Sequence, residues 1–226
     1  MNAGESGARV RCPDPACGAE FELRPGLLGR NGPCPSCGRV ITFAPAEHRD
    51  RASAERAGAL GPRRSAMPVA VVLENVRSLW NVGSIFRTAD GAGAEELWLC
   101  GYTGCPPRPE ISKTALGAEL FVPWRHVPTA RDAIAELRSR GRTILALERL
   151  ERSVPLEGAP VRFPCALLLG NEVAGLSPEV LSSADLVCHI PMHGVKESLN
   201  VAVAAGVALY ELRRAARLAG LIDAAG

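Results

Sequence analysis

The feature that most constrains this chain is a series of short, largely apolar runs separated by amphipathic stretches, from about residue 67 onward. The runs at 69–73, 97–100, 143–147, 165–169 and 186–191 are rich in leucine or β-branched residues. Such runs suit strands covered on both faces, because a strand with one wet face alternates polar and apolar residues. Helical patterns lie between them at 82–92, 130–140 and 178–184, with a last helix over 199–218. Apolar positions nearly encircle the first half of that last helix. It is therefore expected to be buried there and to become amphipathic near Arg213 and Arg214. Strands alternating with helices predict an α/β domain over residues 67–226.

The chain has 226 residues, 47% of them hydrophobic, enough for one sizeable core and a small satellite module. The satellite is residues 9–43, short and rich in Gly and Pro, with four cysteines. Residues 44–66 are rich in Ala, Arg and Pro without apolar periodicity and are expected to be a linker. Four residues separate Cys12 from Cys17, and two separate Cys34 from Cys37. The run Cys34-Pro35-Ser36-Cys37-Gly38 has the form of a zinc knuckle, in which Gly permits the turn that aims backbone NH groups at thiolate sulfur. A segment of this size cannot bury enough core to fold unaided. Structural zinc on Cys12, Cys17, Cys34 and Cys37 is the reading, in a module that resembles a zinc ribbon with Phe21 and 40–43 as strand residues. The alternative is a pair of disulfides or unpaired thiols, and the wider first pair leaves it open. Cys100, Cys105, Cys165 and Cys188 fall singly, and those in strands are expected in the core. A zinc ribbon can bind nucleic acid, bind protein or merely fold, so it does not set the function.

A net charge of +2 does not announce a polyanion partner. The basic bias sits in residues 1–66, where ten basic side chains face seven acidic ones. No apolar run is long enough to span a bilayer, and the first twenty residues lack the apolar stretch of a signal peptide. A cytoplasmic location without a membrane partner is the default expectation, and there cysteines serve as thiols or metal ligands.

Three motifs carry the chemistry. In the first, a strand ends at Leu73, and Glu74-Asn75-Val76-Arg77 leads to Asn81-Val82-Gly83-Ser84 at the start of a helix carrying Arg87. Asn81 is expected as the N-cap. Gly83 and Ser84 would let a substrate approach the backbone, with Arg87 one turn on beside that opening. A helix N-terminus and a guanidinium suit phosphate or ribose. The alternative is an i,i+3 ion pair between Arg87 and Asp90. In the second motif, a strand ends in the turn Gly170-Asn171-Glu172, with Ser177 placed to cap the next helix. Ligands of α/β sheets sit outside the carboxyl ends of strands, so this turn is a cofactor candidate with Glu172 at its rim. The third motif runs from Ile190 and Met192 through His193 to Ser198-Leu199-Asn200-Val201-Ala202. Ser198 is expected to start a helix with Asn200 in its buried first turn, where an amide needs a specific partner.

Taken together and in this order, the three motifs resemble the SPOUT superfamily, in particular its SpoU/TrmH branch of RNA ribose 2′-O-methyltransferases. The resemblance covers residues 68–212. It implies a doubly wound, mostly parallel α/β sheet with a C-terminal trefoil knot, S-adenosylmethionine bound in the knot, and a homodimer built around it. By position it implies cofactor contacts at Gly170, Ile190 and Leu199, with Met192 and Ser198 as neighbours. It implies catalytic and substrate-site roles for Asn81, Arg87, Glu172, Ser198 and Asn200, with Arg87 acting in its own subunit's pocket or its partner's. The substrate would be a transfer or ribosomal RNA.

A sulfonium methyl needs only in-line approach by the ribose oxygen, so orientation supplies much of the catalysis. The hydroxyl must also lose its proton. A guanidinium is always protonated, so Arg87 fits an electrostatic clamp better than a base, leaving Glu172 or water as acceptor. His193 is a further candidate base, or merely a loop histidine facing solvent. Two other functions stand beside this one: methylation of an RNA base, and a non-catalytic adaptor for nucleic acid or protein. Phosphate contacts from Arg11, Arg24, Arg30 and Arg39 would give the ribbon a part in RNA binding.

Overall fold

The computed structural model describes residues 8–12, 14, 16–24, 26–43 and 66–223. The expected linker, apart from Ala66, lies outside the described residues.

The N-terminal module is two small hairpins. β1 (Arg9–Arg11) pairs antiparallel with β2 (Glu20–Glu22), and β3 (Asn31–Pro33) with β4 (Val40–Thr42). Its core is small, with Val10, Leu23, Ile41 and Phe43 around the buried Cys12 and Cys34. So little apolar area leaves the module dependent on a further tie.

The large domain runs β5 (Met67–Glu74), α1 (Leu79–Ala92), β6 (Ala94–Cys100), α2 (Pro109–Ala115), β7 (Trp124–Val127), α3 (Ala130–Ser139), β8 (Thr143–Leu147), β9 (Val154–Pro155), β10 (Cys165–Leu169), α4 (Pro178–Ser182), β11 (Leu186–His189) and α5 (Val201–Leu218). Its seven strands form one sheet in the order β7-β6-β5-β10-β8-β11-β9, and every pairing is parallel. Successive strand residues point to opposite faces, and the chain uses both. Val71, Leu73, Leu97, Leu99, Leu167 and Leu169 pack with α1, α2 and α5. Ala70, Val72, Trp98, Ile144, Ala146 and Leu168 pack with α3 and α4 on the other face. This two-sided burial is why the strand sequences lack alternation.

Local chemistry sets the helix ends. Thr129 and Asp132 close a capping box on α3, and Ser177 caps α4 ahead of Pro178. Gly93, left-handed at φ 76°, ends α1 and returns its N–H to Ala89 and Asp90 carbonyls. The N-cap of α1 is Ser78, whose hydroxyl accepts from the Asn81 N–H, so α1 starts earlier than expected and Asn81 lies inside its first turn. Likewise α5 starts at Val201, and the exposed Asn200 is its N-cap, accepting from Ala202 and Val203 N–H groups. The side chain expected to be buried thus sits at the surface, because a cap must stand outside the helix. The first half of α5 is not encircled by core either: Val203 is 53% and Val207 45% exposed. The last strand stops at His189, short of the expected residue 191.

β7, β9 and α2 were not expected. Arg125 and His126 interrupt the apolar pattern of β7 at the sheet edge, β9 is two residues long, and α2 is a seven-residue helix. α2 explains Gly83. A Cβ there would stand 2.3 Å from the Ile111 carbonyl, so Gly83 serves close packing of α1 on α2 and opens nothing to a substrate. The four single cysteines are all buried in the large domain. Among the described residues no helix is long and apolar enough to cross a membrane.

Candidate active site

The carboxyl ends of β5, β8, β10 and β11 meet at one edge of the sheet, where parallel strands leave loops free to form a site. A pocket of ≈ 200 Å³ opens there. Leu169, Gly170, Ile190, Met192, Glu197, Ser198, Leu199 and Val201 are among the residues that line it. Leu147, Glu148 and Arg149 after β8, and Asn171, Glu172, Val173 and Gly175 of the turn after β10, also line it. Gly170 is required by close approach. A Cβ there would lie 2.2 Å from the Gly175 carbonyl carbon, because the turn Asn171–Gly175 folds back on the end of β10. Asn171 secures that turn, accepting from Val173 and Ala174 N–H groups and donating to the Asn75 carbonyl.

Glu148 escaped the sequence reading. Its carboxylate accepts from the Leu176 N–H at 3.0 Å and from its neighbour's N–H at 3.2 Å, joining β8 to the second motif. Its position just after an apolar strand, at a carboxyl end, was the available signal. Glu74, buried at the end of β5, ties in Ser177 through its N–H and hydroxyl.

One chain of hydrogen bonds connects the three motifs. The Glu172 carboxylate accepts from Arg77 N–H, Ser78 N–H and Asn81 Nδ2, each at 3.0 Å. Asn81 Oδ1 in turn accepts from Asn200 Nδ2 at 3.2 Å. Glu172 thus anchors the loop before α1, and Asn81 links that loop to the start of α5. Partial burial pushes the Glu172 carboxyl up, but the donors at Arg77, Ser78 and Asn81 outweigh it and hold it below the ordinary carboxylate range. A carboxylate so engaged is a poor proton acceptor.

Arg87 lies elsewhere. It is exposed and is not among the pocket's lining residues, and among the described residues its side chain makes no hydrogen bond or ion pair, including none with Asp90. Thr88, the next residue, faces Gly206 of α5, and Arg213 donates to the Ala92 carbonyl at 3.0 Å. α1 and α5 therefore run side by side, with the apolar Val203 and Val207 open to solvent. His193 is exposed and does not line the pocket.

In the N-terminal module, the Sγ atoms of Cys12, Cys17, Cys34 and Cys37 all lie within 4.8 Å of one another. The Cys12–Cys37 and Cys17–Cys34 sulfurs are 3.9 Å apart, far beyond a disulfide bond. Tetrahedral zinc with bonds of about 2.3 Å spaces its sulfurs about 3.8 Å apart, so the arrangement fits the ion. The module docks on the turn after β6: Thr42 Oγ1 donates to the Gly101 carbonyl at 3.0 Å and Asn31 Nδ2 to the Tyr102 carbonyl at 3.3 Å. Its arginines are partly engaged. Arg39 pairs with Asp14 at 3.0 Å, and Arg11 and Arg30 donate Nε to Gly18 and Gly26 carbonyls.

A model of the SpoU rRNA methylase family matches residues 68–210, which span all three motifs. The tRNA (guanosine(18)-2′-O)-methyltransferase of Thermus thermophilus is 37% identical over 161 residues, 71% of this chain and 82% of that protein. Among solved structures, the Aquifex aeolicus TrmH/SpoU tRNA modifying enzyme aligns at a TM-score of 0.62 and 30% identity, covering 68% of this chain and 78% of that one. An AdoMet-bound rRNA methyltransferase from Sinorhizobium meliloti aligns at 0.62 and 36% identity over 65% of this chain and 56% of that one. The bonded motifs, the all-parallel sheet and these similarities together mean that the chain belongs to the SpoU rRNA methylase family.

Proposed function

We propose that this protein is an S-adenosylmethionine-dependent methyltransferase acting on the ribose 2′-hydroxyl of a transfer or ribosomal RNA. The observation that carries this reading is the Glu172–Asn81–Asn200 bond chain beside the pocket, in a chain belonging to this family. S-adenosylmethionine supplies an electrophilic methyl on a sulfonium centre. The pocket suits it: Ile190, Leu199 and Val201 offer apolar surface, Gly170 offers close backbone, and the carboxylates of Glu148 and Glu197 favour a cationic ligand. Gly170, Ile190, Met192, Ser198 and Leu199 are the cofactor contacts in this reading.

Asn81, Ser198 and Asn200 present the ribose, and Glu172 positions Asn81. The engaged carboxylate of Glu172 supports water, not Glu172, as the proton acceptor. Arg87 is the clamp that stabilises the developing alkoxide. Its absence from the pocket lining, and the open apolar stripe on α5, favour a homodimer through α1 and α5 in which Arg87 serves the partner's pocket. The C-terminal trefoil knot belongs to the same reading, supported by family membership and by the insertion of β10 between β5 and β8. So do zinc on the four cysteines and a cytoplasmic setting, where thiols stay reduced.

The test is methylation of unmodified transfer and ribosomal RNA with labelled S-adenosylmethionine, followed by nuclease digestion and mass spectrometry. Label on ribose is expected. Label on a base would replace this reading with base methylation, and no label with no cofactor binding would replace it with an adaptor.

A further inference from the structure

This chain has three tryptophans, and their surroundings differ. Trp98 is fully buried beneath Arg125, and Trp124 packs edge-on against Phe86. Trp80 differs. It is 49% exposed although it directly precedes Asn81 in the first turn of α1. The buried face of α1 is formed by other residues, among them Val82, Ile85, Phe86 and Ala89, and about half of Trp80 is left open.

Single exposed apolar side chains are ordinary, but the surroundings of this one are not. The Trp80 carbonyl accepts from the Thr114 hydroxyl at 3.0 Å, which fixes its backbone against α2. The Lys113 ammonium stands 5.8 Å from the ring centroid. Arg77, three residues upstream, is exposed, and the first turn of α1 contains no acidic residue. The nearest carboxylate on α2, Glu110, is taken up by Arg108. The Glu172 carboxylate also lies at this turn, but it is engaged by the Arg77 and Ser78 N–H groups and by Asn81. An aromatic face with cations beside it, and with its neighbouring carboxylates already engaged by their own donors, is what a nucleotide strand selects.

The wide groove of ≈ 1400 Å³ between the ribbon and α3 offers the contrast. There Asp14, Glu74, Asp132 and Glu179 face Arg39, Arg131 and Arg138, a balance that disfavours a polyanion.

We propose that Trp80 is a stacking platform for a nucleobase of the RNA, next to the nucleotide whose ribose is presented at Asn81, with Arg77 and Lys113 meeting the flanking phosphates. This deepens the methyltransferase reading and rests on it for the identity of the neighbouring nucleotide. Every base has a π face, so the platform sets the register of the strand without reading its sequence.

Two measurements on the full-length protein test it. In the first, a ten-nucleotide oligoadenylate is titrated against tryptophan fluorescence. The native protein is quenched, and Trp80→Phe loses most of the quench because Trp98 is fully buried and the half-buried Trp124 lies away on β7, against Phe86. In the second, kinetics with an unmodified transfer-RNA transcript show KM for RNA raised roughly tenfold in Trp80→Ala and largely restored in Trp80→Phe, with S-adenosylmethionine affinity unchanged. Quenching that persists in Trp80→Phe, or an unchanged KM in Trp80→Ala, overturns the platform. So does a KM change accompanied by dissociation of the oligomer, since the side chain would then act in assembly. A Trp80-dependent quench in a native protein that methylates no RNA sustains the platform and overturns the methyltransferase reading instead.

Discussion

Glu172 carries more of the site than its place in a turn suggests. Three donors converge on one carboxylate, so replacing an oxygen with an amide nitrogen sets an N–H against an N–H. Glu172→Gln is expected to lower kcat roughly 100-fold through misplacement of Asn81, with the cofactor still bound. The pH dependence has a definite sign. The folded-state pKa is depressed, so the stabilising effect is present above the unfolded value and is lost as pH falls through the folded one. Acid titration of melting temperature should therefore show a steeper slope in the native protein than in Glu172→Gln, which keeps the contributions of Glu110 and Glu211; matching slopes would remove the carboxylate from this role. Gly170→Ala tests the pocket itself. The methyl meets the backbone of Gly175, which cannot swing aside as a side chain could. A loss of about 1–3 kcal/mol in urea unfolding is expected, together with loss of S-adenosylmethionine binding by calorimetry. Arg87→Ala should abolish methyl transfer while cofactor binding persists, and retained activity would withdraw the clamp.

At the scale of elements, α5 is the informative case. Ala205, Ala208, Leu209 and Leu212 face the core, while Val203, Val207 and Tyr210 lie open, spaced by four and three residues along one stripe. A stripe of this spacing suits a second helix face. Introducing aspartate at Val203 and Val207 should turn a dimer into a monomer in sedimentation velocity and remove activity with it, because Arg87 would lose the partner's pocket. A monomeric native protein, or a fully active monomeric variant, would return Arg87 to its own subunit.

At the scale of the whole molecule, the ribbon and the site are mechanically connected. Thr42 and Asn31 hold the Gly101–Tyr102 turn, the Tyr102 N–H is held by Asn75 Oδ1, and Asn75 takes the Asn171 amide through its carbonyl. Metal analysis should find one zinc per chain. Chelation should unfold the ribbon and weaken RNA binding, with a flatter salt dependence if its arginines meet phosphate. Unchanged affinity and slope after chelation would leave the ribbon a structural attachment.

The same three scales separate what was legible in the sequence from what was not. Apolar runs identified β8 and β10 to the residue, because burial on both faces leaves an unbroken signature in a central strand. Edge and short elements, β7, β9 and α2, leave no such signature and went unseen. Cysteine spacing announced the convergence of four thiols, because ligand geometry is local. The motifs identified the family because their residues and order are rare in combination. What only the tertiary structure decided was partnership. Sequence marked Glu172, Asn81 and Asn200 as separate polar residues at the ends of elements, and it could not say that they bond to one another across ninety and more positions. Nor could it distinguish a helix encircled by core from one with an open stripe, or a glycine that admits a substrate from one that admits a neighbouring helix. Hydrophobicity along a chain records that a surface must be covered; only the packing of distant elements decides what covers it.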